Sequence, residues 1–391
     1  MVFVFTLKTK DNYLYISTFH ELNDFIPRAK KDTLLAIDTE FIREKSYYPK
    51  LCLLQLGTSS EQVAIDPLAL EDMSPLIDLF VDQNIVKIFH ASTQDLEIIE
   101  QEFGIMPSPI FDTQVAAGFL GYPVQMGYQA IVEAFCGITL PKTQSLTDWS
   151  KRPLDEQQLS YALDDVKYLP DIYSQMIEAL KAKGRLEWVL PEMKDLLDKD
   201  HYSHNPHDAF KKVKRISSLN RRQLGIAREI AAWREEESQK RDHPRRWILS
   251  DEIVVELAKR APLNKKELLK IRNTDSLSVQ NQAKVLSAIQ KGLSLSKEEL
   301  PQLPRRHKVS KEVESVIDLM NALLKFVADK QEIAPALLAS KDDLVNFYFD
   351  SQSSPLAIGW RHELVGNKLL ELLSGSIGLT VEDSKIEILH K

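Results

Sequence analysis

An acidic pair at the end of an apolar run could bind a metal ion and support hydrolysis of a phosphodiester. Residues 34–37 are apolar, and Asp38 and Glu40 follow at alternate positions. Residues i and i+2 of a strand project to the same face, so the two carboxylates would lie side by side. Such carboxylates repel each other unless a cation neutralises them, and hard oxygen ligands suit Mg²⁺ or Mn²⁺. An ordinary solvated strand end is the alternative.

A third acid, Asp95, lies at the start of a predicted helix that runs from about Thr93 to Phe103 and stops at Gly104. An acid in the first turn stabilises the positive end of the helix dipole, and that role alone would explain it. Asp95 also follows soon after a predicted strand, where open α/β sheets place their ligands. Both roles can hold together, so Asp95 is a candidate metal ligand.

A tyrosine and two further acids lie together on a later predicted helix. Tyr161 and Asp165 are four residues apart and share one helix face, so a phenol and a carboxylate can reach one cleft. Asp164 lies three residues from Tyr161, and the spacing leaves open which aspartate is the ligand. Solvated charges on an amphipathic helix are the alternative. Together with the first three acids, this group predicts a two-metal phosphodiesterase centre.

The elements that must position these residues alternate between strand and helix. Apolar runs predict strands at residues 34–37, 51–56, 62–66, 85–89 and 110–111. The first three lie close enough in sequence to pair as an antiparallel meander. Helices between the later strands add a parallel part to the sheet. The first two hundred residues therefore predict a mixed sheet flanked by helices.

The chain changes character beyond about residue 200. Helix-forming residues dominate there, prolines interrupt them, and no strand pattern is convincing. A chain of 391 residues is expected to form two to four domains at roughly 150 residues each. We interpret the second half as two helical modules, preceded by a polar linker and joined between residues 300 and 307.

Charge is distributed unevenly along the chain. The net charge is -7, yet residues 211–246 contain 12 Lys/Arg and 5 Asp/Glu, a local balance of +7. Local basic surface makes phosphate contacts, so this stretch could bind nucleic acid, although a solvated helix face explains it about as well. No apolar run is long enough to span a bilayer, and the apolar patch at the N-terminus has no basic flank. We therefore expect a cytoplasmic protein without membrane partners.

Three sequence blocks resemble the exonuclease motifs of the DEDD superfamily, in its DEDDy branch, and are most similar to the ribonuclease D family. The blocks are residues 35–41 (LAIDTEF), residues 88–96 (IFHASTQDL), and residues 147–154 (TDWSKRPL) running into 161–169 (YALDDVKYL). Residues 232–234 and 241–244 are similar to a helicase-and-RNase-D C-terminal (HRDC) domain. Residues 333–340 and 359–366 resemble the more divergent repeat of that domain. The resemblance therefore covers most of the chain.

The resemblance implies an α/β RNase H-like exonuclease domain followed by two all-α HRDC-type domains. The expected boundaries are 1–200 for the exonuclease domain, 201–212 for the linker, 213–297 for the first HRDC domain and 308–391 for the second. The sequence contains no Gly-x-x-x-x-Gly-Lys-Ser/Thr phosphate loop, so the helical domains are not attached to a helicase motor.

The family's metal-binding acids align with Asp38, Glu40, Asp95 and Asp165, and its tyrosine aligns with Tyr161. This alignment favours Asp165 over its neighbour and implies two divalent cations, Mg²⁺ or Mn²⁺. An ordinary tyrosine, with a pKa of about 10, is a poor base at neutral pH, so Tyr161 is expected to orient the attacking water. The implied enzyme is a monomeric 3′-to-5′ exoribonuclease that trims transfer RNA precursors and other structured RNAs. An exodeoxyribonuclease and a silent nucleic-acid-binding scaffold are the alternatives.

Several further residues are candidates for substrate binding. Arg152 could hold a phosphate, and a salt bridge to a neighbouring acid is the alternative. Phe41 and His90 could contact the terminal base or sugar, with core packing and a polar contact at a strand end as the alternatives. A basic group could follow the RNA backbone, and it consists of Lys211, Lys212, Arg215, Arg221 and Arg222.

Overall fold

The computed structural model describes residues 13–141, 147–303, 307 and 309–390. The chain divides into two compact units. Described residues up to 40, those from 51 to 198 and those from 307 onward form the first unit, and residues 41–50 and 199–303 form the second. The domain boundaries that the sequence suggests stay predictions.

A mixed sheet lies at the centre of the first unit. Its strands, in chain order, are β1 Tyr13–Ile16, β2 Leu34–Ile42, β3 Lys50–Gly57, β4 Gln62–Ile65, β5 Val86–Phe89 and β6 Ile110–Asp112. Over the described residues the spatial order is β1-β4-β3-β2-β5-β6. Strands β3 and β4 are antiparallel, whereas β1 with β4, β2 with β5, and β5 with β6 are parallel. The predicted mixed sheet is confirmed.

Helices flank this sheet, and their ends carry the expected signals. The helices are α1 Phe19–Ala29, α2 Pro75–Val81, α3 Thr93–Phe103, α4 Thr113–Phe119, α5 Tyr128–Cys136, α6 Glu156–Lys167, α7 Leu169–Ala182 and α8 Leu186–Asp195. Helix α3 ends at Gly104, whose φ of 68° lies in the left-handed region that suits glycine. A capping box of Asp155 and Gln158 begins α6, the helix that carries Tyr161 and Asp165. No helix in the described ranges is long and apolar enough to cross a membrane.

The second unit is helical. Its helices are α9 Arg221–Arg241, α10 Arg245–Ile248, α11 Asp251–Arg260, α12 Lys265–Leu268 and α13 Val279–Ser294. The stretch interpreted as a polar linker contains a 3₁₀ helix, Pro206–Lys212. Ala209 and Phe210 of this helix are buried in the same apolar core as α9. Ala209 and Phe210 are two apolar residues in a polar stretch, so the sequence pattern did not predict that they pack in this core.

The C-terminal region belongs to the first unit and is not entirely helical. It contains α14 Lys311–Lys330, α15 Pro335–Leu338, α16 Lys341–Phe349, α17 Gly359–Arg361, α18 Asn367–Ser374 and an antiparallel hairpin of β7 Ile377–Glu382 and β8 Lys385–His390. The prediction that the second HRDC-type domain is all-α was therefore wrong at the hairpin. The region attaches to the exonuclease core through Arg361, whose guanidinium binds both carboxylate oxygens of Glu192 at 2.7 and 3.0 Å.

Candidate metal centre

Three acidic side chains meet where α6 packs against the sheet. Val166 of α6 and Ala36 of β2 lie in one buried apolar cluster. Asp165 precedes Val166, and Asp38 and Glu40 follow Ala36 at alternate positions, so the packing directs all three carboxylates toward one another. One oxygen atom from each of Asp38, Glu40 and Asp165 lies within 4.8 Å of the other two. This carboxylate cluster is the only group of three or more potential metal ligands among the described residues.

Asp95 joins this centre from the first turn of α3. Its carboxylate is buried, and Thr39 Oγ1 donates a hydrogen bond of 2.5 Å to Asp95 Oδ1. Thr39 lies between Asp38 and Glu40 in β2, so this bond connects α3 to the strand that carries the other two acids. The charge of Asp38 contributes to the raised pKa of Asp95, and the charge of Asp95 contributes to the raised pKa values of Glu40 and Asp165. The structure therefore brings the four predicted acids to one place.

Asp112, which no motif in the sequence indicated, fixes the turn that precedes α3. Its Oδ1 accepts hydrogen bonds from the backbone N–H of Ala91, Gln114 and Val115, and its Oδ2 accepts one of 2.8 Å from Ser92. Ala91 adopts a φ of 62°, which is uncommon for a residue with a Cβ. The sequence signal was an acid between a strand and a helix, the ordinary position of a helix cap.

Burial and mutual repulsion raise the pKa of the carboxyl groups in this centre. Burial first, and then the charges of Asp38, Asp165 and Asp95, raise the pKa of Glu40 to about 9. Burial is also the main reason that the pKa of Asp165 rises to about 7 and that those of Asp38 and Asp95 lie well above the ordinary value. A divalent cation would offset this repulsion, and carboxylate oxygens are the ligands that Mg²⁺ and Mn²⁺ prefer. The donor set therefore fits a divalent metal.

Without a divalent cation, the free energy of unfolding should fall as the pH rises from about 5 to about 9. A carboxyl group whose pKa is higher in the folded state binds more protons there, and this stabilisation is lost as the pH passes the folded-state pKa, about 7 for Asp165 and about 9 for Glu40. Thermal unfolding in chelator and in saturating Mg²⁺ measures the effect, with Glu40→Gln as the control that reduces it. A flat or rising stability in chelator would contradict this prediction.

Tyr161 lies beside the carboxylate cluster and remains protonated at neutral pH. Burial, followed by the charges of Asp165, Glu40 and Asp38, raises the pKa of its phenol above the ordinary value, and the hydroxyl hydrogen-bonds Asp165. The ring of Trp149 stacks on that of Tyr161, with centroids 6.1 Å apart and planes inclined by 26°. Tyr161 is therefore a hydrogen-bond donor with a supported ring.

Arg152 forms the salt bridge that was the alternative to phosphate binding. Its Nε and Nη2 donate to the two carboxylate oxygens of Asp66 at 2.7 and 2.6 Å. Nη1 donates to the carbonyls of Trp149 and Lys151, and Nη2 also donates to the carbonyl of Cys52. All five N–H groups of the guanidinium thus have acceptors within the protein. The side chain fixes the segment that carries Trp149 to the sheet.

For His90 the structure favours a polar contact at a strand end, which was the alternative to substrate binding. Its Nδ1 lies 2.9 Å from Thr113 Oγ1, and its Nε2 lies 3.0 Å from the carbonyl oxygen of Met126. Burial lowers the pKa of the imidazole, which favours the neutral ring. His90 is therefore a polar contact at the end of β5. Phe41 follows Glu40 in β2 and is half-buried, and its role in binding a base stays a prediction.

The carboxylate cluster includes Asp165 and not Asp164. Both aspartates are half-buried, but the backbone carbonyl of Asp164 accepts a hydrogen bond of 2.5 Å from the Tyr128 hydroxyl. The charge of Asp164 contributes to the raised pKa of Asp165. Asp164 thus influences the centre electrostatically without joining the group of ligands.

The basic stretch of the second unit is less positive at its surface than its composition suggests. Arg228, Arg234, Arg241 and Arg245 form ion pairs with acids, of which Glu229, Glu235 and Glu237 are buried. The other eight basic side chains of the stretch are exposed, and they are Lys211, Lys212, Lys214, Arg215, Arg221, Arg222, Lys240 and Arg246. All five basic residues predicted to bind RNA are in this exposed group.

Comparisons with known proteins agree with these features. A family model described as a 3′-5′ exonuclease matches residues 13–181, and the HRDC domain model matches residues 223–289. Ribonuclease D of Bartonella henselae is 38% identical over 374 residues, which cover 94% of this chain and 91% of that protein. Ribonuclease D of Zymomonas mobilis is 39% identical over 365 residues, which cover 92% of this chain and 93% of that protein. The crystal structure of Escherichia coli RNase D, an exoribonuclease involved in structured RNA processing, has a TM-score of 0.83 and 31% identity, and the match covers 93% of this chain and 99% of that one.

Proposed function

This chain belongs to the ribonuclease D family and is a 3′-to-5′ exoribonuclease, and on that premise we propose that it releases 5′-mononucleotides by hydrolysis assisted by two divalent cations. The observation that carries the proposal is the cluster of Asp38, Glu40 and Asp165, whose oxygens lie within 4.8 Å of one another. Asp95 and Tyr161 adjoin this cluster.

Asp38, Glu40, Asp95 and Asp165 are the residues that would hold the cations. Bound Mg²⁺ or Mn²⁺ would supply charge neutralisation of the scissile phosphate, a lowered pKa for the attacking water, and stabilisation of the departing 3′-oxygen. The four acids provide the negative charge that attracts these ions. Thr39 hydrogen-bonds Asp95, and Asp112 hydrogen-bonds the turn that precedes the helix carrying Asp95.

Tyr161 would orient the attacking water by a hydrogen bond from its phenol. The raised pKa keeps this hydroxyl protonated, so it does not act as a general base at neutral pH. Trp149 limits the rotation of the phenol ring, and Arg152 holds Trp149. Glu40 would share in positioning the water.

The proposed substrates are transfer RNA precursors and other structured RNAs with accessible 3′ ends. The description of the Escherichia coli relative as an enzyme of structured RNA processing supports this class. A monomeric state, a cytoplasmic location and a second HRDC-like domain at 308–391 remain predictions of the sequence.

The first experiment incubates the purified chain with matched 3′-labelled and 5′-labelled single-stranded RNA and DNA, in Mg²⁺, in Mn²⁺ and in chelator. Stepwise shortening of RNA from its 3′ end, dependent on the cation, is the expected result. Preference for DNA would favour an exodeoxyribonuclease, and cleavage of neither would favour a silent binding scaffold. Either outcome would overturn the proposal.

Replacing Lys211, Lys212 and Arg215 with Ala should weaken RNA binding and reduce its dependence on salt. Each phosphate contact on a single strand contributes about 0.7 to the slope of log K against log salt, so loss of three contacts should lower that slope by about 2. Fluorescence anisotropy with labelled RNA over a range of salt concentrations measures both quantities. Replacing the exposed Lys265, Lys266 and Lys270 with Ala removes the same charge elsewhere in the unit and serves as the control. Equal slopes for the two variants would favour a solvated face.

A further inference from the structure

Gln55 is a fully buried amide that lacks hydrogen-bond partners. It lies in the middle of β3 with 0% of its surface exposed. Neither Oε1 nor Nε2 has a hydrogen-bond partner among the residues that the structure describes. Burying an amide without partners destabilises the folded state, and buried polar groups in folded proteins are rarely left this way. An apolar residue would serve better at this position if packing were its only role.

The register of the sheet places Gln55 opposite Asp38. Strands β2 and β3 are neighbours, and only residues 43–49 connect them. Because parallel neighbours need a crossover of about a dozen residues or more, the two strands are antiparallel. A Cβ atom built on Gly57 would lie 3.4 Å from the Cβ of Ala36, so these two residues face each other. Two residues further along each strand, Gln55 faces Asp38.

The side chain of Gln55 projects to the face of the sheet that carries the metal centre. The same Cβ on Gly57 would lie 2.9 Å from the carbonyl oxygen of Val166 in α6. Residues alternate between the two faces of a strand, so Gln55 projects to the α6 side with Gly57. Asp38 projects to that side as well, because its carboxylate meets that of Asp165 from α6. The amide thus lies behind the carboxylate cluster and is shielded from solvent and from RNA.

We propose that Gln55 is a positioning residue of the metal centre, whose amide N–H donates a hydrogen bond to the carboxylate of Asp38 when a divalent cation is bound. The inference rests on the proposed metal-dependent function and extends it to a residue that touches neither the cation nor RNA. Groups that hydrogen-bond a metal-ligating carboxylate fix its orientation, and their loss commonly costs 10-fold to 100-fold in metal affinity. A neutral amide suits this place because it supplies a donor without adding charge beside four acids.

The test measures Mn²⁺ binding to the full chain by isothermal titration calorimetry, without RNA. Gln55→Met and Gln55→Leu remove the amide while keeping a side chain of similar size, so at least one folded variant is expected. Both should bind Mn²⁺ about 10-fold or more weakly, in line with the loss of such supporting groups. Their melting temperatures in chelator should match or exceed that of the wild type, because a buried amide without partners has been removed.

Gln282→Met is the matched control for loss of a buried amide. Gln282 lies in α13, and its Nε2 donates a hydrogen bond of 2.9 Å to the carbonyl of Leu277. This variant should melt at a lower temperature and bind Mn²⁺ as tightly as the wild type. If both Gln55 variants bind Mn²⁺ as tightly as the wild type and have its kcat, the inference about Gln55 is overturned, and the proposed metal-dependent function is unaffected. Failure of the wild-type chain to bind Mn²⁺ would overturn the proposed metal-dependent function and this inference with it.

Discussion

Asp38→Asn should lower kcat for RNA hydrolysis by at least about 1,000-fold while the chain remains folded. The variant keeps the size of the side chain but removes the charge at the centre of the carboxylate cluster. A bound cation supplies several kcal/mol of charge stabilisation in phosphodiester hydrolysis, and each 1.4 kcal/mol corresponds to a factor of ten in rate. Single-turnover cleavage of a 5′-labelled RNA at saturating Mg²⁺ measures this loss.

The stability of the variant separates a catalytic effect from a structural one. Repulsion from Asp165 contributes to the raised pKa of Asp38, so removing this charge should leave the metal-free chain as stable as the wild type or more stable. Mg²⁺ should then raise the melting temperature of the variant less than that of the wild type. Asp164→Asn is the matched control, since Asp164 lies next to Asp165 but outside the ligand cluster, and its kcat should stay within a few-fold. A fully active Asp38→Asn chain would exclude Asp38 from the metal centre.

The strands around the metal centre could be predicted because each is an apolar run bounded by turn residues. Strands β2 to β6 all lie on predicted runs. Strand β1 was missed because its four residues pair with β4, almost fifty residues later, and no local pattern reveals such a partner. The hairpin of β7 and β8 was missed because helix-forming sequence precedes it. Its turn at Asp383 and Ser384, both with positive φ, lacks the Asn-Gly signal of tight hairpins.

In the metal centre, too, local sequence patterns predicted some features, whereas others depend on packing between elements that are distant in sequence. The placement of Asp38 and Glu40 followed from the two-residue period of a strand. The choice between Asp164 and Asp165 did not follow from spacing, because both lie near the face of Tyr161. The buried residues of α6, including Ala162 and Val166, determine which face of the helix packs against the sheet, and this orientation directs Asp165 into the cluster.

Contacts between residues that are distant in sequence could not be predicted from local sequence patterns. The salt bridge of Arg152 joins residues 86 positions apart, so the sequence left it as one of two alternatives. The charge count over residues 211–246 overestimated the free basic surface, because three acids buried on α9 pair with three of its arginines and with two lysines of α13, and Arg234 pairs with Asp251. A role for Gln55 could not be predicted, because a single glutamine in an apolar run does not indicate a function until its neighbour across the sheet is known.

Tyr161→Phe should lower kcat by about 100-fold, with RNA affinity and Mn²⁺ affinity nearly unchanged. The variant loses only the hydroxyl that would orient the attacking water, and loss of one oriented hydrogen-bond donor to a reacting group commonly costs about 100-fold to 1,000-fold. Phenylalanine keeps the contact with Trp149, so the ring should stay in place. Tyr173→Phe, at a half-buried tyrosine of α7 whose ring packs against Phe111, is the control and should leave kcat unchanged.

The pH dependence of kcat distinguishes an orienting tyrosine from a tyrosine that acts as a general base. Burial and the neighbouring acids raise the pKa of Tyr161, so its phenol does not ionise in the working range. The profiles of the wild type and Tyr161→Phe should therefore have the same shape and differ only in height. If Tyr161 were the base, the variant would lose the ascending limb of the profile. Equal kcat for the two proteins would contradict any role of the hydroxyl in the reaction, and would leave the water to be oriented by Glu40.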